Sequence, residues 1–151
     1  MCLLVVSSAN AVPPPPPNAA NLVALQTYIG CLTNKNIGMC RDAISTDARM
    51  SVTGARDGGE RAIKGQKAII DILRTCVEGA GCKITIQQAN YGGYDKAGNE
   101  NFLIVSSVAI SLNEFDYVVV ETLKIKNGKI KQINRSDDYY NGLRPDGHTQ
   151  W

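Results

Sequence analysis

Apolar residues recur at steps of three and four along the first half of the chain, which is the spacing of amphipathic helices. The first stripe consists of Leu22, Leu25, Ile29 and Leu32. It predicts a helix over residues 21–33. Two further stripes predict a second helix over 37–45 and a third over 68–76. Gly79 is the stop signal of the third helix.

The remainder of the chain has the alternating pattern of half-buried strands. Met50 and Val52 alternate with polar residues between positions 48 and 53, which predicts a first strand. A glycine-rich, charged loop over 56–61 then leads to the third helix. Further strands are predicted over 82–90, 102–112, 117–126 and 129–137. Three helices followed mainly by antiparallel strands indicate an α+β domain.

Asn127-Gly128 between the last two strands predicts a tight hairpin, because a type I′ turn needs positive φ at both central residues. Continued along both strands, this register places four lysines on one face, where water must solvate them. They are Lys124, Lys126, Lys129 and Lys131. The opposite face is then interior, and it contains Tyr117, Val119, Glu121, Leu123, Ile125, Ile130, Gln132 and Asn134.

Glu121 is the unusual residue of this interior face, because a buried carboxylate is costly without a partner. Two interpretations remain open: a structural polar pair with Asn134, or a polar patch at the bottom of a pocket. The same register turns Arg135 towards the lysine face. It also turns Asn134 inward, so the N-glycosylation sequon Asn134-Arg135-Ser136 is predicted to have no room for a sugar.

The 151 residues, 44% apolar and 20% charged, are typical of one globular domain with a packed core. Sixteen Lys and Arg against fourteen Asp and Glu give a net charge of +2 without a basic run, so we do not expect a nucleic-acid partner. The single histidine, His148, lies in a polar tail over 141–151, and the cysteines form no C-x-x-C pair. We therefore expect no metal site, no cofactor and no membrane span.

Residues 1–11 have features of a short secretory signal peptide. An apolar run over residues 2–6 precedes Ala9-Asn10-Ala11, which has the form of a cleavage site. The run is short and no Lys or Arg precedes it, so a frayed N-terminal strand is the alternative. Five consecutive prolines, residues 13–17, then predict a polyproline II arm within 12–20 that acts as a spacer or a docking arm.

Cleavage after Ala11 would remove Cys2 and leave an even number of cysteines, as expected for disulfides in an oxidising compartment. The remaining four are Cys31, Cys40, Cys76 and Cys82. Three pairings are open, and the short loops favour Cys31 with Cys40 and Cys76 with Cys82. The alternative is four buried free thiols in a cytoplasmic protein. We expect a secreted protein.

The order of elements and several segments resemble the nuclear transport factor 2-like superfamily over residues 21–140. The matching segments are 25–32 in the first helix, 36–50 leading into the first strand, 65–69 at the start of the third helix, and the 127–130 hairpin. The resemblance implies a cone-shaped fold, in which a curved sheet wraps around a helix and encloses an apolar pocket. Members include ketosteroid isomerases, SnoaL-like polyketide cyclases, an epoxide hydrolase and non-enzymatic binding or dimerisation modules.

Compared with ketosteroid isomerase, the chain retains two oxygen-stabilising groups and lacks the base. Tyr28 resembles the isomerase's tyrosine, and Glu121 falls at or near the place of its protonated acid. Val52 falls at the place of the base and cannot accept a proton. Asp57 and Glu60 belong to the loop beyond the first strand and are poorly positioned substitutes. An epoxide-hydrolase-like Asp, Arg, Asp set is not predicted either, because the interior positions contain no arginine.

The expected function is therefore non-catalytic: a small module that binds an apolar ligand, or that self-associates as a homodimer through an outer sheet face with Val118, Val120 and Ile133. The chain's own tail is the alternative cover of that face. The predicted pocket lining is Tyr28, Met50, Val52, Tyr117, Glu121, Gln132 and Asn134. The alternative function is an isomerase or hydrolase acting on a ring compound, in which Tyr28 and Glu121 polarise an oxygen. An interior filled by side chains would favour self-association over both.

Overall fold

The computed structural model describes residues 15–54, 60–79, 81–110 and 115–139. Within them the chain forms three helices: α1 (Ala19–Asn34), α2 (Ile37–Ala43) and α3 (Gln66–Val77). It also forms six strands: β1 (Ile44–Gly54), β2 (Glu60–Lys64), β3 (Cys82–Tyr94), β4 (Glu100–Ile110), β5 (Phe115–Lys126) and β6 (Lys129–Tyr139). The strands make one curved sheet in the order β2-β1-β6-β5-β4-β3, antiparallel except for the β1–β6 pair. The predicted α+β architecture is confirmed.

Some predictions concern residues outside the described ranges. These are the leader over 1–11, Asp57, and the tail over 141–151 with its histidine. The side chain of Tyr117 is likewise outside the described part, although its backbone belongs to β5. Of the arm predicted over 12–20, residues 15–20 are described: 15–18 have no regular secondary structure, and 19–20 already belong to α1. Among the described residues, no helix is long and apolar enough to cross a membrane.

Strand β2 lies where the sequence predicted only a loop. It pairs antiparallel with β1, and Thr53 faces Glu60 at one end of the ladder while Arg49 faces Lys64 at the other. All of its side chains are exposed except Ile63, which is half-buried. An edge strand can be short and charged because it has little to bury, so its sequence lacks the alternation that marks a strand.

Helix α1 begins at a side-chain cap, in which Asn18 Oδ1 accepts hydrogen bonds from the backbone N–H groups of Ala20 and Asn21 at 3.0 and 3.4 Å. It ends at Asn34, and the next residue, Lys35, has the left-handed conformation common after helix ends, with φ of 54°. The buried side of α1 packs on the inner face of the sheet, and it consists of Asn21, Ala24, Leu25, Tyr28, Cys31 and Leu32.

Two disulfides join the helices to each other and to the sheet. Cys31 pairs with Cys40, which links α1 to α2, and Cys76 pairs with Cys82, which links α3 to β3. Both have a Cα–Cα distance of 5.3 Å, which is ordinary for a disulfide. This is the pairing that the short loops favoured.

The β5–β6 hairpin departs from the predicted register after its first two pairs. Ile125 faces Ile130 as predicted, but Lys124 then faces Gln132, so β6 carries one extra residue, a β-bulge at Lys131. Because side chains alternate along a strand, the extra residue moves every later side chain of β6 to the other face. The predicted placement of the second half of β6 was therefore wrong.

Four residues change face as a result. Ile133 is interior and 0% exposed, so it does not belong to the outer face assigned to self-association. Arg135 is interior as well, directly opposite Glu121. Gln132 and Asn134 instead lie on the outer face, opposite Lys124 and Thr122, and are not part of an interior lining.

Candidate functional site

The centre of the interior is a hydrogen bond between α1 and the sheet. The Tyr28 hydroxyl on α1 donates to Glu121 Oε2 on β5 at 2.7 Å. Tyr28 is 0% exposed and Glu121 is 2% exposed. The structure therefore brings together the two candidate residues that the sequence singled out, and the partner of Glu121 is Tyr28 rather than Asn134.

Arg135 is another ionisable residue of this interior, and the sequence analysis placed it on the wrong face of the sheet. It is paired with Glu121 on one side and with Val52 of β1 on the other, and Glu121 is paired in turn with Ile104 of β4. Paired residues of neighbouring strands point to the same face, with strands about 5 Å apart. Val52, Arg135, Glu121 and Ile104 thus form one row across the inner face of the sheet.

A signal for Arg135 was present in the sequence. Ile130 and Ile133 are both large and apolar and are three residues apart, so a regular strand cannot turn both towards the core. Both are buried in the structure. An odd spacing of this kind indicates a bulge, and a bulge there places Arg135 inside.

Burial raises the pKa of Tyr28 well above its ordinary value. The negative charge of Glu121 and the hydrogen bond to it act in the same direction, whereas the nearby Arg135 guanidinium acts against them. Tyr28 therefore stays a neutral phenol at physiological pH. The hydroxyl has one hydrogen, which it donates in the hydrogen bond to Glu121. Tyr28 could therefore donate to a ligand oxygen only if that hydrogen bond broke.

Apolar side chains lie where the resemblance to ketosteroid isomerase would place the catalytic base. Val52 is 4% exposed and Met50, two residues earlier on the same face of β1, is 1% exposed. Glu60 does not replace a base, because it is exposed on β2 and accepts a hydrogen bond from Ser51, which points to the other face of β1. Glu60 and Val52 are thus on opposite sides of the sheet.

Leu25, Met50 and Val52 are buried apolar residues of the same core as the Tyr28–Glu121 pair, and water reaches almost none of their surface. A groove of about 310 Å³ lies elsewhere, on the outer surface of α2 and α3, and is lined by Arg41, Gln66, Lys67, Ile70, Asp71 and Arg74. Within the described ranges, no three His, Cys, Asp or Glu side chains are grouped so that they could hold a metal ion.

The outer face of the sheet carries an apolar patch, which we call the outer patch: Leu103, Val105, Val118 and Val120. All four are half-buried. Val105 and Val120 face each other on β4 and β5, and Thr122 faces Leu103. The outer patch therefore keeps the predicted Val118 and Val120 but contains β4 residues in place of Ile133.

No protein-family model matches the chain, and no curated protein does. Many solved structures share its fold. An LEH-like epoxide hydrolase from M. tuberculosis has a TM-score of 0.60 and 16% identity, covering 82% of this chain and 86% of its own. An inferred isomerase from Bacillus subtilis has a TM-score of 0.65 and 10% identity, covering 79% and 86%. An inferred ketosteroid isomerase from Kribbella flavida has a TM-score of 0.61 and 12% identity, covering 83% and 81%.

Identities this low carry information on the fold alone, and activities do not follow from a shared fold. The match covers about four fifths of this chain and of each of these structures. The chain therefore has the nuclear transport factor 2-like cone fold that its sequence resembles.

Proposed function

We propose that this protein is a non-catalytic module that self-associates as a homodimer through the outer patch. The observation that carries this proposal is the buried pair, in which the Tyr28 hydroxyl donates a hydrogen bond to Glu121, while Val52 lies where a base would be needed. A proton-transfer enzyme needs an acceptor beside its substrate and a free donor for the developing oxyanion. Val52 cannot be that acceptor, and the Tyr28 hydroxyl is already engaged with Glu121.

The outer patch supports association with a second copy. Val105 and Val120 form its centre, and their neighbours Ser107 and Thr122 are small and uncharged. A neutral apolar strip with a polar border is self-complementary, which is what a two-fold symmetric interface requires. Lys124 and Lys126 of the outer face lie at the β5–β6 turn, away from this centre.

The test is the mass in solution of protein made in a bacterial host that forms disulfides and adds no N-glycan. Light scattering after gel filtration should give twice the chain mass. Val120→Lys places a charge at the centre of the outer patch and should give the mass of one chain. Gln26→Lys, an exposed position on α1, is the matched control and should remain dimeric.

Because Val120 points out of the core, the lysine variant should keep the circular dichroism spectrum of the parent protein. A monomeric parent protein at concentrations of tens of micromolar would overturn the proposal. A Val120→Lys variant that remains dimeric would show that the dimer uses another surface.

We further propose that the protein is secreted. The two disulfides support this, because disulfides persist in oxidising compartments and are rare in the cytoplasm. Mass spectrometry of protein from its native source should find both disulfides and an N-terminus at residue 12. Free thiols in that material would contradict secretion.

A second candidate function rests on Arg135. A carboxylate, a guanidinium and a phenol meet in one interior, and burying such groups rarely benefits stability, so clusters of this kind are often functional. In this alternative the protein hydrolyses or isomerises a ring compound after the interior opens. Glu121 would activate water or accept a proton, while Tyr28 polarises the ring oxygen.

The alternative is tested with two probes: a cyclic epoxide, followed by diol formation, and a β,γ-unsaturated ketosteroid, followed by the absorbance of the conjugated enone. Turnover that is lost in the double variant Tyr28→Phe, Glu121→Gln would support the alternative. Turnover unchanged by this double variant would assign the activity to a contaminant or another site. No turnover of either probe would favour the non-catalytic module.

A further inference from the structure

We propose that Asn134 is an N-glycosylation site whose occupancy controls assembly, so that glycosylated chains are monomers and unmodified chains dimerise. The site rests on the proposed secretion, and the control of assembly rests on the proposed homodimer. Asn134-Arg135-Ser136 has the N-x-S form of an acceptor sequon, and no other segment of the chain has the N-x-S/T form.

The bulge at Lys131 makes this site accessible. It turns Asn134 away from the core and onto the outer face of the sheet, whereas a regular hairpin would bury it. Asn134 is half-buried there, between Thr122 of β5 and Ser51 of β1, two small side chains. Ser136, the hydroxyl residue of the sequon, is exposed on the same face.

The side-chain amide of Asn134 is also available. Its Oδ1 accepts a hydrogen bond from Gln132 Nε2 at 3.0 Å, and its Nδ2 donates none among the described residues. Nδ2 is the atom that carries the sugar. The folded protein can therefore hold a glycan at Asn134 without breaking a hydrogen bond of the described part of the chain.

The reaction needs a donor from the secretory pathway, a lipid-linked oligosaccharyl diphosphate. Asn134 Nδ2 forms a bond to the anomeric carbon of the first sugar, and the bond from that carbon to the diphosphate oxygen breaks. The lipid diphosphate leaves, and the amide nitrogen gives up one proton. No oxidant or reductant is consumed. The donor occurs in the same oxidising compartment that the two disulfides require.

The glycan would stand beside the outer patch. Asn134 is one strand away from Thr122 and two strands from Leu103, and Ser136 faces Val120 directly. With strands about 5 Å apart, the first sugar lies within about 10 Å of the centre of the patch. A branched glycan at this distance covers the surface on which a second copy would have to dock. Glycosylated chains should be monomers, and unmodified chains should dimerise.

The test expresses the chain in eukaryotic cells behind a cleavable secretion signal. Intact mass should show a glycan on the parent protein that peptide-N-glycosidase removes. Asn134→Gln removes the acceptor amide, Ser136→Ala removes the sequon hydroxyl, and both should be secreted without a glycan. Gln132→Asn is the matched control, because it changes the neighbouring amide and leaves the sequon intact. It should be glycosylated like the parent protein.

Light scattering on the same samples tests the second half of the proposal. The parent protein and Gln132→Asn should be monomers, while Asn134→Gln and Ser136→Ala should be dimers. A secreted parent protein without a glycan would overturn the site. A glycosylated dimer would overturn the control of assembly by the glycan. In a third outcome the parent protein is glycosylated, but the Asn134→Gln and Ser136→Ala variants are monomers. This would support the glycosylation site and overturn the homodimer of the proposed function.

Discussion

Removing the Tyr28 hydroxyl tests whether its hydrogen bond to Glu121 is a structural bond of the interior. Tyr28→Phe keeps the ring and deletes one oxygen, so packing changes little. Glu121 then loses the donor at 2.7 Å in a site that water does not reach. Hydrogen bonds to charged groups contribute about 1.5–3 kcal/mol, and we place this one in the upper part of the range because both of its residues are buried. We expect a loss of about 2–3 kcal/mol in the free energy of unfolding.

The assay is urea unfolding followed by circular dichroism, with thermal unfolding as a second measure. For a domain of this size, about 2–4 °C of Tm is lost per kcal/mol, so Tm should fall by about 5–10 °C. Thr33→Val is the control on the same helix. The Thr33 hydroxyl donates to the carbonyl of Ile29 on an exposed surface, and its loss should change stability by less than about 0.5 kcal/mol.

A Tyr28→Phe variant as stable as the parent protein would refute the structural interpretation of the pair. A double-mutant cycle with Glu121→Gln sharpens the result, because residues in direct contact should show a coupling energy of about 0.5–3 kcal/mol. Additive effects of the two substitutions would mean that the hydrogen bond contributes nothing to stability.

Three further predictions concern pH and the covalent links. Because the folded-state pKa of Tyr28 is raised, its contribution to stability should be fully present below the unfolded pKa of about 10 and should fall above it. Urea unfolding of both proteins should show a smaller loss of stability at alkaline pH in Tyr28→Phe than in the parent protein. Burial alone would raise the pKa of Glu100, but the nearby Tyr91 hydroxyl and hydrogen bonds from Asn21 and the Asn18 N–H lower it overall. The stability that this carboxylate contributes is therefore present above its unfolded pKa of about 4.3 and is lost as pH falls through the lower folded pKa. In a pH series of unfolding free energies, Glu100→Gln should make this loss at acid pH smaller. Reduction of both disulfides should lower the free energy of unfolding by about 2–5 kcal/mol in calorimetry, whereas an unchanged Tm would show that the links are dispensable.

Local patterns were sufficient for most of the fold. The stripes of α1 and α3 depend only on the spacing of apolar residues, and both helices were predicted to within a few residues of their bounds. The hairpin turn followed from Asn127-Gly128, whose two residues have positive φ as type I′ requires. Strand β2 was missed because an exposed edge strand buries almost nothing and leaves no apolar signature.

The candidate site was predicted in part. Tyr28 and Glu121 were singled out, Tyr28 from the family resemblance and Glu121 because a carboxylate among apolar residues stands out. Arg135 was placed on the wrong face because the register was extended from the turn through polar residues that tolerate either side. Lys131 and Gln132 are both polar and can face water equally well, so the local signal against the regular register was limited to the spacing of Ile130 and Ile133.

The sequence by itself determined the three helices, five of the six described strands and the hairpin turn, because each depends on neighbours along the chain. It also singled out Tyr28 and Glu121. Only the tertiary structure decided which face of β6 is buried. The burial of Ile133 against the core decides this face, and it requires one bulged residue in β6. Long-range packing thus outweighs the local regularity of the strand. That choice places Arg135 beside Glu121 and turns Asn134 to the surface.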